Sequence, residues 1–106
     1  MDGDWTPLGN ESDLRTVEVT VARVCEMEIA VFCAEQQLFA IENLCTHGQA
    51  RLSEGYLEGC EIECPLHQGR FDLRTGRALC APLTKDTRVF ELRVEGGVVL
   101  LKHNSD

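Results

Sequence analysis

At 106 residues, with 43% hydrophobic and 26% charged residues, the chain has the size and composition of one small globular domain rather than a disordered or multi-domain protein. Ten Lys+Arg against eighteen Asp+Glu give a formal net charge of −8. That balance disfavours nucleic acid and anionic membranes as partners, and suits either plain solubility or brief docking on basic patches of other proteins.

In chain order, the acidic start Met1-Asp2-Gly3-Asp4-Trp5 is unlike a basic secretory or transit peptide, so a cytoplasmic location is expected. Residues 10–14 suggest a helical turn with Ser12 and Asp13 as candidate caps. Val17, Val19 and Val21 alternate with Glu18, Thr20 and Ala22, the period-two pattern of a half-buried strand. Residues 29–34 and 38–41 are compact apolar runs, and Glu35-Gln36-Gln37 between them predicts a hairpin. From Asn43 to about Pro82 the character changes: this stretch holds five glycines, two prolines and four of the six cysteines. Short strands are expected at 61–64 and 69–73, with two more around Gly55-Tyr56-Leu57 and Glu58-Gly59. Phe90, Leu92 and Val94 then alternate with Glu91, Arg93 and Glu95, and Gly96-Gly97 turns the chain into the apolar residues 98–101. That last run is far too short to span a bilayer. The pattern predicts a β-rich base built from both ends of the chain, with a loop-rich subdomain over about 43–82 inserted between them. The whole chain, 1–106, is read as one domain, without internal repeat or low-complexity tract.

Two motifs carry the chemistry. Cys45-Thr46-His47 is a C-x-H and Cys64-Pro65-Leu66-His67 a C-x-x-H, separated by the tract from Gly48 to Glu63. In a reducing cytosol such cysteines bind metal or catalyse more readily than they form disulfides. Each limb offers one thiolate and one imidazole, so two facing loops could clamp a two-iron centre, thiolates on one iron and imidazoles on the other, as in a Rieske [2Fe–2S] cluster. Gly48 and Gly69 allow sharp turns near the sulfides, and Pro65 stiffens the second limb. A structural zinc site with two cysteines and two histidines is the main rival, although zinc fingers usually separate the two ligand types by limb. A Cys-His nucleophile pair is a third reading, which leaves the duplication without a reason.

At these residues the sequence resembles the Rieske-type ferredoxins of bacterial aromatic-ring-hydroxylating dioxygenase systems, the naphthalene-dioxygenase type above all. The likeness is carried by Asn43-Leu44-Cys45-Thr46-His47-Gly48, Gly55-Tyr56-Leu57-Glu58-Gly59, Ile62 through Asp72, and Ala78-Leu79-Cys80-Ala81-Pro82. It implies the Rieske fold, all-β with an antiparallel β-sandwich base and an inserted cluster-binding subdomain, and one [2Fe–2S] cluster on Cys45, His47, Cys64 and His67, with the loop at Ala81-Pro82 covering a further side. It also implies a one-electron carrier between an NAD(P)H-dependent flavoprotein reductase and a terminal oxygenase, without a substrate of its own; a monomer is the default expectation. A Rieske carrier or subunit of another oxidoreductase, such as a nitrite reductase or a monooxygenase, is the alternative.

Departures from other Rieske branches sharpen this expectation. Ala50 and Leu66 stand where the proteins of respiratory and photosynthetic complexes have a disulfide, and Gly69 and Phe71 stand where those have serine and tyrosine hydroxyls. Loss of hydroxyl donors to the sulfurs predicts a potential near the low end of the Rieske range, about −150 mV. The added electron is expected on the iron held by His47 and His67, whose ligand set is less negative. Cys25, Cys33, Cys60 and Cys80 have no partner motif; Cys33 is expected to be a buried thiol, and Cys80 lies near the Pro82 loop. Trp5 and Phe90 are read as core and His103 as a surface residue. Glu42, Glu54, Glu58 and Glu63 are candidates for an acidic docking surface near the cluster end.

Overall fold

The computed structural model describes residues 4–45, 50–66, 69–79 and 85–103. Its strands are β1 (Asp4–Asn10), β2 (Val19–Val24), β3 (Met27–Ala34), β4 (Gln37–Glu42), β5 (Tyr56–Glu58), β6 (Glu61–Glu63), β7 (Arg70–Asp72), β8 (Val89–Phe90), β9 (Leu92–Glu95) and β10 (Val98–His103). A single turn of helix, α1 (Glu11–Leu14), and a 3₁₀ turn, Leu52–Glu54, complete the regular elements among the described residues. The strands form three antiparallel sheets, ordered β1-β10-β9, β2-β3-β4-β8 and β5-β6-β7.

The four-stranded sheet is the middle layer, and β3 shows why. Its residues 29–34 are apolar without alternation, as a strand covered on both faces requires. Ile29 and Val31 point toward Leu101, Leu92 and Leu8 of the β1-β10-β9 sheet, closing the two-sheet base. Ala30, Phe32 and Ala34 point the other way, into a second cluster with Ile41, Leu52, Ile62, Phe71 and Leu73 of the inserted segment. The expected all-β base with an inserted loop-rich subdomain is therefore observed.

Turn chemistry fixes the hairpins. Gly96 and Gly97 both adopt positive φ between β9 and β10, and the β3–β4 turn is the two residues Glu35 and Gln36, also at positive φ, with Gln37 already in the strand. Cys25 and Glu26 make a like turn between β2 and β3.

Five expectations need correction. Around Gly55-Tyr56-Leu57 and Glu58-Gly59 there is one strand, β5, rather than two, and it pairs with β6. The N-terminal strand β1 was not anticipated; Pro7 and Gly9 interrupt its alternation, and the register with β10 shifts between them. The cap of α1 is Asn10, with Ser12 and Asp13 inside the turn. In β2 the alternating valines do not form one buried set: Val19 is half-buried against the core, Val21 is exposed, Val17 precedes the strand, and the innermost residue is Val24. The alternating residues 90–94 do not form one strand, because the chain changes sheets at Glu91. Phe90 pairs with Ala40, whereas Leu92 pairs with Leu101. Among the described residues no helix is long and apolar enough to cross a membrane.

Candidate metal centre

The two cysteines of the motifs open loops closed in the same way. In the first, Leu44 and Arg51 form an antiparallel bridge, and the Cys45 N–H donates to the Ala50 carbonyl at 2.9 Å. In the second, Glu63 pairs with Arg70, and the Cys64 N–H donates to the Gly69 carbonyl at 2.7 Å. Each loop thus starts with a cysteine, closes on the carbonyl five residues later, and leaves through an arginine.

Both sulfurs are taken out of water. Cys45 is 4% exposed and Cys64 0%, and they share one buried cluster with Ala50, Leu52, Ile62 and Phe71. Gly55 helps bring the loops together: it lies so close to the Glu63 carbonyl, just ahead of Cys64, that a Cβ there would overlap the oxygen. Buried sulfurs at the openings of two loops suit coordination to a metal, whose charge would stabilise their thiolate form. The described half of the donor set therefore fits a metal cluster.

His47 and His67 lie outside the described residues, as do Cys80, Ala81 and Pro82. Among the described residues no group of three His, Cys, Asp or Glu side chains is placed to hold a metal ion. Of the positions that set this chain apart from other Rieske branches, Ala50, Gly69 and Phe71 are buried and Leu66 is exposed.

Charged groups line the necks of both loops. Glu28 Oε1 accepts from Asn43 Nδ2 and from Arg51 Nε, each at 2.9 Å. The Asn43 amide, with help from the Arg51 guanidinium and against the effect of burial, holds the Glu28 carboxyl below its ordinary range. Arg70 meets Glu58 at 2.9 Å, Glu63 at 3.2 Å and Glu61 at 3.3 Å. Asn43, Glu28 and Arg51 were not anticipated as site residues. Of the acidic candidates, Glu54 and Glu58 are exposed and Glu42 and Glu63 half-buried.

The remaining described cysteines have ordinary settings. Cys60 is buried, its Sγ 3.2 Å from Glu35 Oε1; burial first, then that carboxylate, pushes its thiol up and keeps it protonated. Cys33 is half-buried rather than fully buried, and Cys25 is exposed at its turn. Phe90 is core as expected, while Trp5 is half-buried under the Arg93 guanidinium, 5.0 Å from its ring centre.

Residues 4–91 match the Rieske [2Fe–2S] domain. The chain belongs to the Rieske [2Fe–2S] family. The zinc and nucleophile readings that the residues alone left open give way to this match, and the domain holds one Rieske [2Fe–2S] cluster. The chain is 48% identical to the ferredoxin component of the naphthalene 1,2-dioxygenase/salicylate 5-hydroxylase systems of Ralstonia sp., over 96% of this chain and 98% of that one. The ferredoxin of carbazole 1,9a-dioxygenase from Nocardioides aromaticivorans IC177 is 34% identical, covers 93% of this chain and 99% of its own, and superposes with a TM-score of 0.84. A chain from the complex of reduced oxygenase and oxidised ferredoxin in carbazole 1,9a-dioxygenase is 38% identical, with 92% of both chains covered and a TM-score of 0.84. Within its family this Rieske protein thus stands with electron-carrying ferredoxins rather than with catalytic subunits.

Proposed function

We propose that this Rieske ferredoxin carries single electrons from an NAD(P)H-dependent flavoprotein reductase to the terminal oxygenase of an aromatic-ring dioxygenase system. Its cluster would be held by Cys45 and Cys64 on one iron and by His47 and His67 on the other. The observation that carries this reading is the pair of loops closed alike, each opening on a buried cysteine two or three residues ahead of a histidine. The cluster supplies one-electron chemistry; the chain's part is to fix the ligands, keep water from the sulfurs and present the ligand end to partners. Leu44, just before the first ligand motif, and Leu66, inside the second, are 49% and 63% exposed, which suits an apolar docking rim around that end. We place the carrier in the cytoplasm as a monomer, one domain over 1–106 with its cluster subdomain at about 43–82, without nucleic-acid or membrane partners.

The test is the EPR spectrum of the dithionite-reduced protein, followed by reconstitution. A Rieske signal of low average g, lost on replacement of His67, and a potential near about −150 mV are expected. Electron delivery to an aromatic-ring oxygenase should then depend on added ferredoxin. A colourless protein would overturn the cluster assignment, and a clearly positive potential the assignment to this branch.

A further inference from the structure

The first ligand loop leaves its sheet through a neck whose two arms converge on one carboxylate oxygen. Asn43, on the entering arm, is fully buried; its Nδ2 donates to Glu28 Oε1 at 2.9 Å, and its Oδ1 accepts the Ser53 N–H of the leaving arm at 2.7 Å. Arg51, the first residue after the loop closes at Ala50, donates from Nε to the same Glu28 oxygen at 2.9 Å. The main chain reinforces the junction, with the Asn43 N–H on the Glu28 carbonyl at 2.8 Å and the Leu52 N–H on the Asn43 carbonyl at 2.7 Å. Glu28 belongs to β3 and precedes Ile29, where the strand becomes buried, so the neck is tied to the central sheet.

The second loop repeats the device with different residues. Arg70 follows Gly69 as Arg51 follows Ala50, and it clasps Glu63 of the entering arm at 3.2 Å, with Glu58 and Glu61 beside it. The two segments share the spacing Cys-x-x-x-Gln-x-Arg, from Cys45 to Arg51 and from Cys64 to Arg70. An arginine–carboxylate clasp at the same step of both loops therefore points to a task belonging to the loops.

We propose that Glu28 is a positioning residue for the metal centre: by holding Asn43 and Arg51 it keeps the neck of the first loop shut and governs how firmly Cys45 retains its metal. This rests on the ligand assignment above. Release of a cluster from a folded protein requires a ligand loop to open, and opening is a local event set by the contacts at the loop's base. Partners that orient metal ligands from a distance matter for retention in just this way, and their loss typically costs about 10- to 100-fold.

The two partners of the ion pair separate positioning from a simple field effect. Glu28→Gln removes a negative charge and Arg51→Gln a positive one, so a field effect would move the centre's properties in opposite directions. An opened neck moves them in the same direction. The measurement is the rate at which visible absorbance is lost from the holoprotein in the presence of a chelator, with far-UV circular dichroism followed in parallel. Each single variant is expected to lose its cluster about tenfold faster than the wild type while the backbone signal persists. The double variant should be no faster than the faster single, because both act on one clasp. Wild-type rates in both variants, rates displaced in opposite directions, or loss of the backbone signal in step with absorbance would each overturn the proposal. Arg51 projects into solvent, so its variant keeps the test open even where Glu28→Gln fails to fold. A wild-type protein without a cluster would instead defeat the ligand assignment, and the two failures are told apart before any variant is made.

Discussion

Two buried cysteines that look alike by exposure have different environments and should respond differently to the same change. Both belong to one apolar cluster, but Cys64 opens a ligand loop, whereas Cys60 donates to the Glu35 carboxylate and is kept as a neutral thiol. Cys64→Ser is expected to abolish the visible spectrum and the acid-labile sulfide, and Cys60→Ser to retain both. Iron and sulfide analysis of the two purified proteins decides this, and a colourless Cys60→Ser protein would contradict it. Gly55 makes a sharper steric case. A Cβ there runs into the Glu63 carbonyl, which is backbone and has nowhere to rotate. Gly55→Ala should therefore part the 3₁₀ turn from the strand leading into Cys64 at a cost of about 1–3 kcal/mol. A denaturant titration reads that cost, and an unchanged midpoint would show that the strand yields freely.

At the scale of elements, the central strand β3 couples the base to the ligand loops. Its residue Phe32, 1% exposed, belongs to the same buried cluster as Cys45 and Cys64. Phe32→Ala should cost about 3–5 kcal/mol, bleaching the cluster together with the loss of far-UV signal. Bleaching that long precedes unfolding would mean that base and loops melt separately. Much of this level was legible in the sequence, since the unbroken apolar run 29–34, the paired C-x-H and C-x-x-H limbs and the Gly96-Gly97 turn each express a local rule. Other features were hidden because no local rule expresses them. In β1, Pro7 and Gly9 erase the alternation that the pairing with β10 would otherwise show. Across residues 90–94 the alternation is present but serves two sheets in succession, with the change falling at the exposed Glu91. Glu28 reads in sequence as one more strand glutamate, and its hold on Asn43 and Arg51 exists only once β3 and the first loop are assembled.

For the molecule as a whole, charge and surface act together on encounters with partners. The net charge of −8 gives the carrier a long-range field, and carboxylates lie near both loops. Arg70 neutralises only part of the set formed by Glu58, Glu61 and Glu63. Leu44 and Leu66 are exposed and would supply apolar contact at close range. Such a division of labour favours steered, short-lived association, because screened charges set the approach while a small apolar rim limits the residence time. The second-order rate of electron transfer to the oxygenase should then fall as ionic strength rises and the Debye length shrinks, from about 30 Å at 0.01 M to about 3 Å at 1 M. A drop of about tenfold or more across that range is expected for a steered encounter, measured by stopped-flow with the reduced ferredoxin. Exposed Glu58 provides the local control. Glu58→Lys should lower the rate at low salt and converge on the wild type at high salt, whereas a wild-type rate flat in salt would leave the acidic surface with solubility as its role.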